Sequence, residues 1–245
     1  MHDRSRPPWW LDEVAHAGAE HLDEKYVAGY ERKAAYDPSE DVAALRASGI
    51  GGDSTIVDLG AGTGVFAMAM APHCRRLVVV DVSPAMVDVL RAKADAAGAD
   101  HIEVVRMGYL DRDLDAVIEP GSVDAVFSRN ALHQVPDFWK VVALVRIARL
   151  LRPGGILRLR DLTYEMEPAT VEEEIEAWIA GALVDDPRLG YTAAELAEHV
   201  RLEHSTFTWL LEPMIERCGF EILDRDVRRS AYVTYTCRVA GRESS

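Results

Sequence analysis

The chain has 245 residues, with 27 basic and 41 acidic side chains and a formal net charge of −14. This acidic balance speaks against partners that present phosphate backbones or anionic lipid surfaces, so we expect neither a nucleic acid nor a membrane as partner. The length fits one large α/β domain or one domain with an insertion.

Three further features bear on location. No apolar run approaches the roughly 20 residues of a membrane span, and the opening residues lack the apolar core of a signal peptide. The cysteines Cys74, Cys218 and Cys237 are far apart and odd in number, which favours free thiols over a disulfide framework or a zinc site. We therefore expect a cytoplasmic protein without a bound metal.

The chain begins with a segment that is expected to be a loose leader over residues 1–10. Residues 11–49 then predict two helical segments, interrupted at Asp37 and Pro38. The tyrosines Tyr26, Tyr30 and Tyr36 fall in this region. They could cover a pocket or simply one edge of the core.

A glycine-rich stretch follows at residues 56–71, with the sequence IVDLGAGTGVFAMAMA. A short run of β-formers containing Asp58 turns through Gly60, Gly62 and Gly64 into an alanine-rich helical pattern. Such a strand, loop and helix allow the backbone to approach a ligand closely, because glycine has no Cβ and the helix begins with unpaired N–H groups.

Strands and helices alternate over the next hundred residues. Buried strands are predicted at 77–81, 102–105, 123–127 and 156–162, with helices at 84–98 and 138–151 between them. This order predicts a doubly wound, mostly parallel α/β sheet with helices on both faces. Ligands bind such sheets beyond the carboxyl ends of the strands.

The alternation stops after the fifth strand. Helical patterns at 171–184 and 192–202 predict an inserted lid, and another helix is predicted at 206–218. Residues 220–227 and 230–239 then predict an antiparallel strand pair that completes the sheet, before a frayed tail at 241–245.

Two ligands compete for the glycine loop. The spacing of Gly62, Gly64 and Ala67, with Asp81 further along, formally satisfies the dinucleotide fingerprint. However, Asp58 at the strand end would face a pyrophosphate poorly. It suits a ligand with an ammonium and a sulfonium and no phosphate, such as S-adenosylmethionine.

Three segments resemble class I S-adenosylmethionine-dependent methyltransferases: VDLGAGTG at 57–64, VVVDVSPAM at 78–86 and ARLLRPGGIL at 148–157. The resemblance covers roughly residues 40–162 and the last two strands. It implies a seven-stranded sheet with one antiparallel strand near the end, and S-adenosyl-L-methionine as the cofactor. We divide the chain into an N-terminal helical cover (1–49), a methyltransferase domain (50–163 and 206–245) and a helical lid insertion (164–205).

The resemblance also implies roles for individual residues. Asp58 would hold the methionyl ammonium, and Asp81 would take both ribose hydroxyls. The remaining expected cofactor contacts are Tyr30, Gly60, Ala61, Gly62, Val82, Met86, Gly108, Tyr109, Leu110, Arg129 and Asn130. Gly108 departs from the family, which often has an acid there that contacts adenine. Recognition of adenine would then pass to the backbone of Tyr109 and Leu110, or to Asp111.

His133 is the candidate catalytic residue, because it follows the fourth strand and a neutral imidazole could deprotonate an attacking hydroxyl or amine. A packing or capping role is the alternative. Arg158 and Arg160 share one face of a buried strand, so each needs a partner. That partner is either a helix-borne carboxylate or, for Arg160, an anionic substrate.

Together these patterns predict methyl transfer from S-adenosylmethionine to a small molecule, with the attacking atom (O, N or C) undetermined. The alternatives are an NAD(P)-dependent oxidoreductase and a non-catalytic S-adenosylmethionine-binding protein. The sequence does not distinguish a monomer from a homodimer.

Overall fold

A computed structural model describes residues 7–182 and 184–240. The segments 1–6 and 241–245, which belong to the predicted leader and tail, lie outside the described residues. Within the described chain eight strands form one sheet. They are β1 (Thr55–Leu59), β2 (Arg76–Asp81), β3 (Ile102–Arg106), β4 (Val123–Arg129), β5 (Leu151–Tyr164), β6 (Thr206–Phe207), β7 (Phe220–Arg228) and β8 (Tyr232–Val239).

Seven strands lie in the order β3-β2-β1-β4-β5-β8-β7, and the two-residue β6 pairs with β5. The first five strands pair in parallel, whereas β8 is antiparallel to both β5 and β7. The predicted fold class is confirmed: a doubly wound, mostly parallel sheet with one antiparallel strand near its end.

Helices cover both faces of this sheet. They are α1 (Glu24–Val27), α2 (Tyr30–Ala34), α3 (Ser39–Ala47), α4 (Val65–Met70), α5 (Pro84–Ala97), α6 (Leu114–Val117), α7 (Asp137–Leu150), α8 (Val171–Ala180), α9 (Ala193–Leu202) and α10 (Thr208–Arg217). Val57 and Val80 belong to a core that includes α7 and α10, whereas Ile56 and Val79 pack with α3, α4 and α5. Because successive side chains of a strand point to opposite faces, burial on both sides produces the continuous apolar runs seen in the sequence.

The fifth strand begins earlier than predicted. Leu151 already pairs with Val123, and the register then shifts before Ala125 pairs with Ile156. The turn at residues 153–155 is therefore an irregularity inside β5 and not a boundary in front of it.

The N-terminal segment is more broken than the two predicted helices. It contains two 3-10 turns, Val14–His16 and Ala19–Leu22, and the three short helices α1 to α3. The Asp23 carboxylate caps α1 by accepting a hydrogen bond from the Lys25 N–H at 2.7 Å. Ala35, with a left-handed φ of 44°, ends α2. The backbone conformation at these ends divides the segment into short pieces.

The segment 164–205 carries α8 and α9, which lie against the end of β5. Leu162 and Tyr164 of that strand form a cluster with Trp178 and Leu196. The helix α8 ends at Ala180, with Gly181 as its C-cap, before the predicted limit of Val184. Residues 206–207, predicted as the start of a helix, form β6 instead.

The N-terminal segment and the segment 164–205 contact each other. The Lys33 side chain is 8% exposed, and its Nζ lies 2.5 Å from Glu195 Oε1. The rings of Tyr26 and Tyr191 flank the same ammonium, with their centroids 5.0 and 4.9 Å away. Each segment thus contributes to one junction, although their division into a cover and a lid remains a prediction.

Two further observations concern membrane-spanning helices and cysteines. The described residues contain no helix that is both long and apolar enough to cross a membrane. The three cysteines are free, as expected.

Candidate functional site

The glycine loop between β1 and α4 lies at the carboxyl ends of the strands. Gly60 has a φ of 72°, and a Cβ at this position would lie 2.4 Å from the Ala131 Cβ. A side chain at Gly60 is therefore excluded both by backbone conformation and by the neighbouring loop. At this position the loop lies so close to the end of β4 that only backbone can face a ligand.

Asp58 is buried near the end of β1, with only 1% of its surface exposed. Its Oδ2 atom has no hydrogen-bond partner among the described residues. Burial, and secondarily the charge of Asp81, raise the pKa of Asp58 well above its ordinary value. A cation placed here would stabilise the ionised carboxylate, so the site fits the ammonium of an amino acid.

Asp81 ends β2 on the same side of the sheet. Its Oδ2 accepts a hydrogen bond from the Gly62 N–H at 2.8 Å, and its Oδ1 accepts one from the Ser83 N–H at 2.8 Å. Burial raises the pKa of Asp81, while these two hydrogen bonds oppose the rise. Each carboxylate oxygen keeps a second lone pair, which suits the hydroxyls of a ribose.

Two adjoining cavities open at these residues. The first lies between the N-terminal segment and the carboxyl ends of β1, β2 and β4. Its lining comprises Glu13, Ala17, His21, Tyr30, Gly60, Gly62, Asp81, Val82, Ser83, Met86, Met107, Gly108, Tyr109, Arg129, Asn130, Ala131, Gln134 and Val135. The second shares Tyr30, Gly60, Gly62 and Arg129 with it and adds Asp58 and Ala61. Twelve of the thirteen expected cofactor contacts thus line one of the two cavities.

Leu110 is the exception, because its side chain is completely buried in the core. Its backbone N–H instead donates to Glu13 Oε2 at 2.8 Å. Tyr109 lines the first cavity but is also a packing residue: its hydroxyl lies 2.7 Å from Ser128 Oγ and donates to the Leu59 carbonyl at 3.3 Å.

Glu13 is the site residue that the sequence analysis missed. Its carboxylate fills the space beside Gly108, where a Cβ would lie 2.4 Å from the Glu13 Cδ and both carboxylate oxygens. The N-terminal segment therefore supplies an acid where the family segment often has one of its own. The only signal in the sequence was the unexplained glycine at 108, because 97 residues separate Glu13 from its partner Leu110.

His133 lies in a 3-10 turn after β4, is 4% exposed and lines neither cavity. Its Nδ1 hydrogen-bonds to Asp161, and its Nε2 lies 2.9 Å from Glu203 Oε2. Burial alone would lower the pKa of His133, but the charges and hydrogen bonds of Asp161 and Glu203 outweigh it and raise the pKa to about 9. The ring is therefore held as an imidazolium at neutral pH.

His199 on α9 completes this group. Its Nδ1 pairs with Glu203, and its Nε2 lies 2.8 Å from Ser205 Oγ. The atoms that His133, His199 and Glu203 could offer to a metal lie within 4.8 Å of one another. In the structure these side chains contact one another and form a network of paired groups. The absence of a metal stays a prediction.

The two arginines of β5 have different surroundings. Arg158 Nε lies 2.9 Å from Asp41 Oδ1, and its Nη1 donates to Thr236 Oγ1 at 2.8 Å. The structural pairing with a helix-borne carboxylate is thus found for Arg158. Arg160, by contrast, forms no ion pair with any described residue, and its Nε is buried without a hydrogen-bond acceptor.

Comparison with known proteins covers the core of this site. The family profile of the methyltransferase domain matches residues 56–155. Over 121 residues the chain is 34% identical to 27-O-demethylrifamycin SV methyltransferase of Amycolatopsis mediterranei. These aligned residues make up 49% of this chain and 43% of that protein. Over 110 residues it is 33% identical to the ubiquinone biosynthesis O-methyltransferase of Xanthomonas campestris pv. campestris, 44% of this chain and 42% of that protein. The match thus spans less than half the length of these relatives.

Solved structures share the fold across more of the chain. A SAM dependent methyltransferase from Aquifex aeolicus superposes with a TM-score of 0.56 at 15% identity, covering 94% of this chain and all of that one. The [4+2]-cyclase SpnF superposes with a TM-score of 0.59 at 15% identity, and the superposition covers 89% of this chain and 81% of that one. At such identities the likeness concerns the fold alone.

Proposed function

We propose that this chain, whose residues 56–155 match the methyltransferase domain profile, transfers a methyl group from S-adenosylmethionine to a small-molecule acceptor. The observation that carries the proposal is Asp58, a buried carboxylate with an unpartnered oxygen at the end of β1. An ammonium is its natural counter-ion, whereas the pyrophosphate of a dinucleotide would be repelled.

The cofactor's parts are assigned along the two cavities. Asp58 holds the methionyl ammonium, Asp81 holds the ribose hydroxyls, and Glu13 stands beside Gly108 at the adenine end. The other proposed contacts are the side chains of Tyr30, Val82, Met86 and Tyr109 and the backbone of Gly60, Ala61, Gly62, Gly108, Arg129 and Asn130, all lining the cavities, together with the backbone of Leu110. Their location around one crevice supports this assignment.

S-adenosylmethionine, when bound, supplies a methyl group on a positively charged sulfur. The chain's own contribution is to hold the acceptor in line with that group and to exclude water. The N-terminal segment and α9, which meet at Lys33 and Glu195, are well placed for the second task.

The role of His133 as a general base remains a proposal. An imidazolium held between Asp161 and Glu203 cannot accept a proton, so this role requires Glu203 to withdraw when the acceptor binds. We expect His133→Ala to reduce turnover by about 10²-fold or more if His133 is the base, with little change in affinity for S-adenosylhomocysteine. Intact turnover would make His133 a purely structural residue.

The acceptor is proposed to be a small molecule, in keeping with relatives that are named as a 27-O-demethylrifamycin SV methyltransferase and a ubiquinone biosynthesis O-methyltransferase. A cytoplasmic location is also proposed, and the three free cysteines support it. Cell fractionation would test the location.

Calorimetry tests the cofactor. We expect S-adenosylhomocysteine to bind the wild-type protein and Asp81→Asn to weaken that binding by about tenfold or more, because a charge-assisted contact is lost. Asp95→Asn, at an exposed acid of α5, is the matched control and should bind normally. Tight binding of NADH or NADPH without binding of S-adenosylhomocysteine would contradict the proposal.

Binding alone does not establish catalysis, since a neighbour of the same fold is named as a cyclase. Transfer of a labelled methyl group to a panel of phenols, amines and carboxylic acids tests turnover. A protein that binds the cofactor but methylates none of them would fit the non-catalytic alternative.

A further inference from the structure

Arg129, the last residue of β4, and Arg160 of β5 are direct neighbours in the sheet register and form an arginine pair. The Nε atoms of both are buried without a hydrogen-bond acceptor. Among the described residues, neither guanidinium has an ion-pair partner. Like charges at adjacent sheet positions destabilise each other, and a partly buried cation without a counter-ion is costly. Residues 7–182 and 184–240 thus contain two neighbouring cations that form no ion pair with any other residue of these ranges.

The carboxylates nearby are already engaged or assigned. Asp41, the acid whose charge acts on Arg160, bonds to Arg158 Nε at 2.9 Å and to the Tyr36 hydroxyl at 2.7 Å. Asp58 lines the same cavity as Arg129 but forms no ion pair with it, and it is the proposed partner of the cofactor's ammonium. Burial first, and then the charge of Arg129, lower the pKa of Arg160, which agrees with an uncompensated pair of cations.

Aromatic rings surround the arginine pair. The Tyr36 ring centroid lies 3.9 Å from the Arg129 Cζ, and the Tyr232 centroid lies 5.6 Å from the Arg160 Cζ. Trp178 of α8 lies beyond Tyr232, with ring centroids 6.2 Å apart. These flat apolar surfaces beside two fixed cations fit a molecule that combines an aromatic or apolar body with an anionic group.

We propose that Arg129 and Arg160 together bind a carboxylate or phosphate group of the methyl acceptor, so that the enzyme acts on an anionic small molecule. This inference rests on the proposed function. The planar guanidinium forks match the geometry of carboxylate and phosphate oxygens, and the overall charge of −14 would repel such a molecule elsewhere on the surface.

The test measures binding of anionic probes by calorimetry, with the protein saturated with S-adenosylhomocysteine. The probes are 4-hydroxybenzoate and phenyl phosphate, and 4-hydroxybenzamide serves as the neutral analogue of the first. We expect the anions to bind about tenfold or more tightly than the amide. Arg160→Gln should abolish this preference, Arg160→Lys should retain part of it, and Arg152→Gln, at a surface arginine of the same strand, should retain all of it.

Two outcomes would overturn the proposal. One is equal binding of the anions and the amide, or an unchanged preference in Arg160→Gln. The other is that Arg160→Gln weakens the binding of S-adenosylhomocysteine about tenfold or more but leaves the binding of 5′-methylthioadenosine, which has no carboxylate, unchanged. The arginine pair would then bind the carboxylate of the cofactor itself. Failure of the wild-type protein to bind S-adenosylhomocysteine would instead contradict the proposed function. Melting curves of the glutamine and lysine variants show whether a loss of binding reflects loss of the fold.

Discussion

Asp58 couples ligand binding to a proton. Burial raises the pKa of its carboxyl group in the free protein, so the group is protonated at pH values below that raised pKa. A bound ammonium would favour the ionised form and lower the pKa again. Binding of the cofactor should therefore release a proton within this pH window, and affinity should fall as the pH falls through it.

This predicts a measurable proton release on binding of S-adenosylhomocysteine. The calorimetric enthalpy should vary with the ionisation enthalpy of the buffer in the wild-type protein and lose that dependence in Asp58→Asn, which should also bind about tenfold or more weakly. Wild-type affinity that stays constant as the pH is lowered from neutrality would contradict it.

Glu13 offers a second prediction at the scale of single residues, because its carboxylate fills the space of a side chain at Gly108. Glu13→Ala should weaken binding of S-adenosylhomocysteine by about tenfold. It should also reduce the protein's preference for S-adenosylhomocysteine over the inosine analogue, which lacks the adenine amine. In the Glu13→Ala background, Gly108→Asp should recover part of both effects.

Gly108→Asp alone is the informative control. Its Cβ would meet the Glu13 carboxylate at 2.4 Å, so this variant should bind more weakly than the double mutant. If Glu13→Ala binds both nucleosides as the wild type does, Glu13 closes the cavity without recognising adenine.

At the scale of elements, the network of His133, Asp161 and Glu203 connects the turn after β4 to β5 and to the end of α9. The pKa of His133 is raised from 6.5 to about 9 in the folded protein. A raised pKa means that the stabilisation is fully present below about pH 6.5 and is lost as the pH rises through about 9.

Thermal unfolding between these pH values tests the network. The free energy of unfolding of the wild-type protein should fall by on the order of 1 to 3 kcal/mol more than that of His133→Asn over this range. His101→Asn, at a histidine outside the site, should follow the wild type. Parallel pH profiles for wild type and His133→Asn would contradict a charged His133.

The contact between Lys33 on α2 and Glu195 on α9 predicts a second effect at this scale. Glu195→Gln should speed hydrogen exchange in both helices, because it leaves a largely buried ammonium without its counter-ion. Exchange in β1 should not change. Arg91→Gln, which removes an exposed ion pair on α5, should affect neither helix.

Across the whole molecule, the features that the sequence predicted are those that follow from repeating patterns of apolar and polar residues. Runs such as Leu77 to Val80 are apolar because both faces of β2 are buried, and Asp58 and Asp81 lie at the carboxyl ends of β1 and β2, which define the ligand edge. This local logic identified the fold and the residues that line the cavities. The cofactor roles themselves came from the family resemblance and await the binding tests.

What the sequence did not predict depends on contacts between distant segments. The approach of Glu13 to Gly108 and the pairing of Lys33 with Glu195 leave no repeating pattern in the chain. The sequence also does not distinguish Arg160, which forms no ion pair with any described residue, from Arg158 two residues earlier, which has an identical side chain but bonds to Asp41 and Thr236.

The junction of Lys33 and Glu195 has a consequence for the timing of a reaction cycle. Since the N-terminal segment lines the cofactor cavities and also joins α9, one opening movement would serve both the spent cofactor and the methylated product of the proposed reaction. We therefore expect departure of the products, and not the bond exchange at the methyl carbon, to set the steady-state rate. The first turnover would then outpace all those that follow.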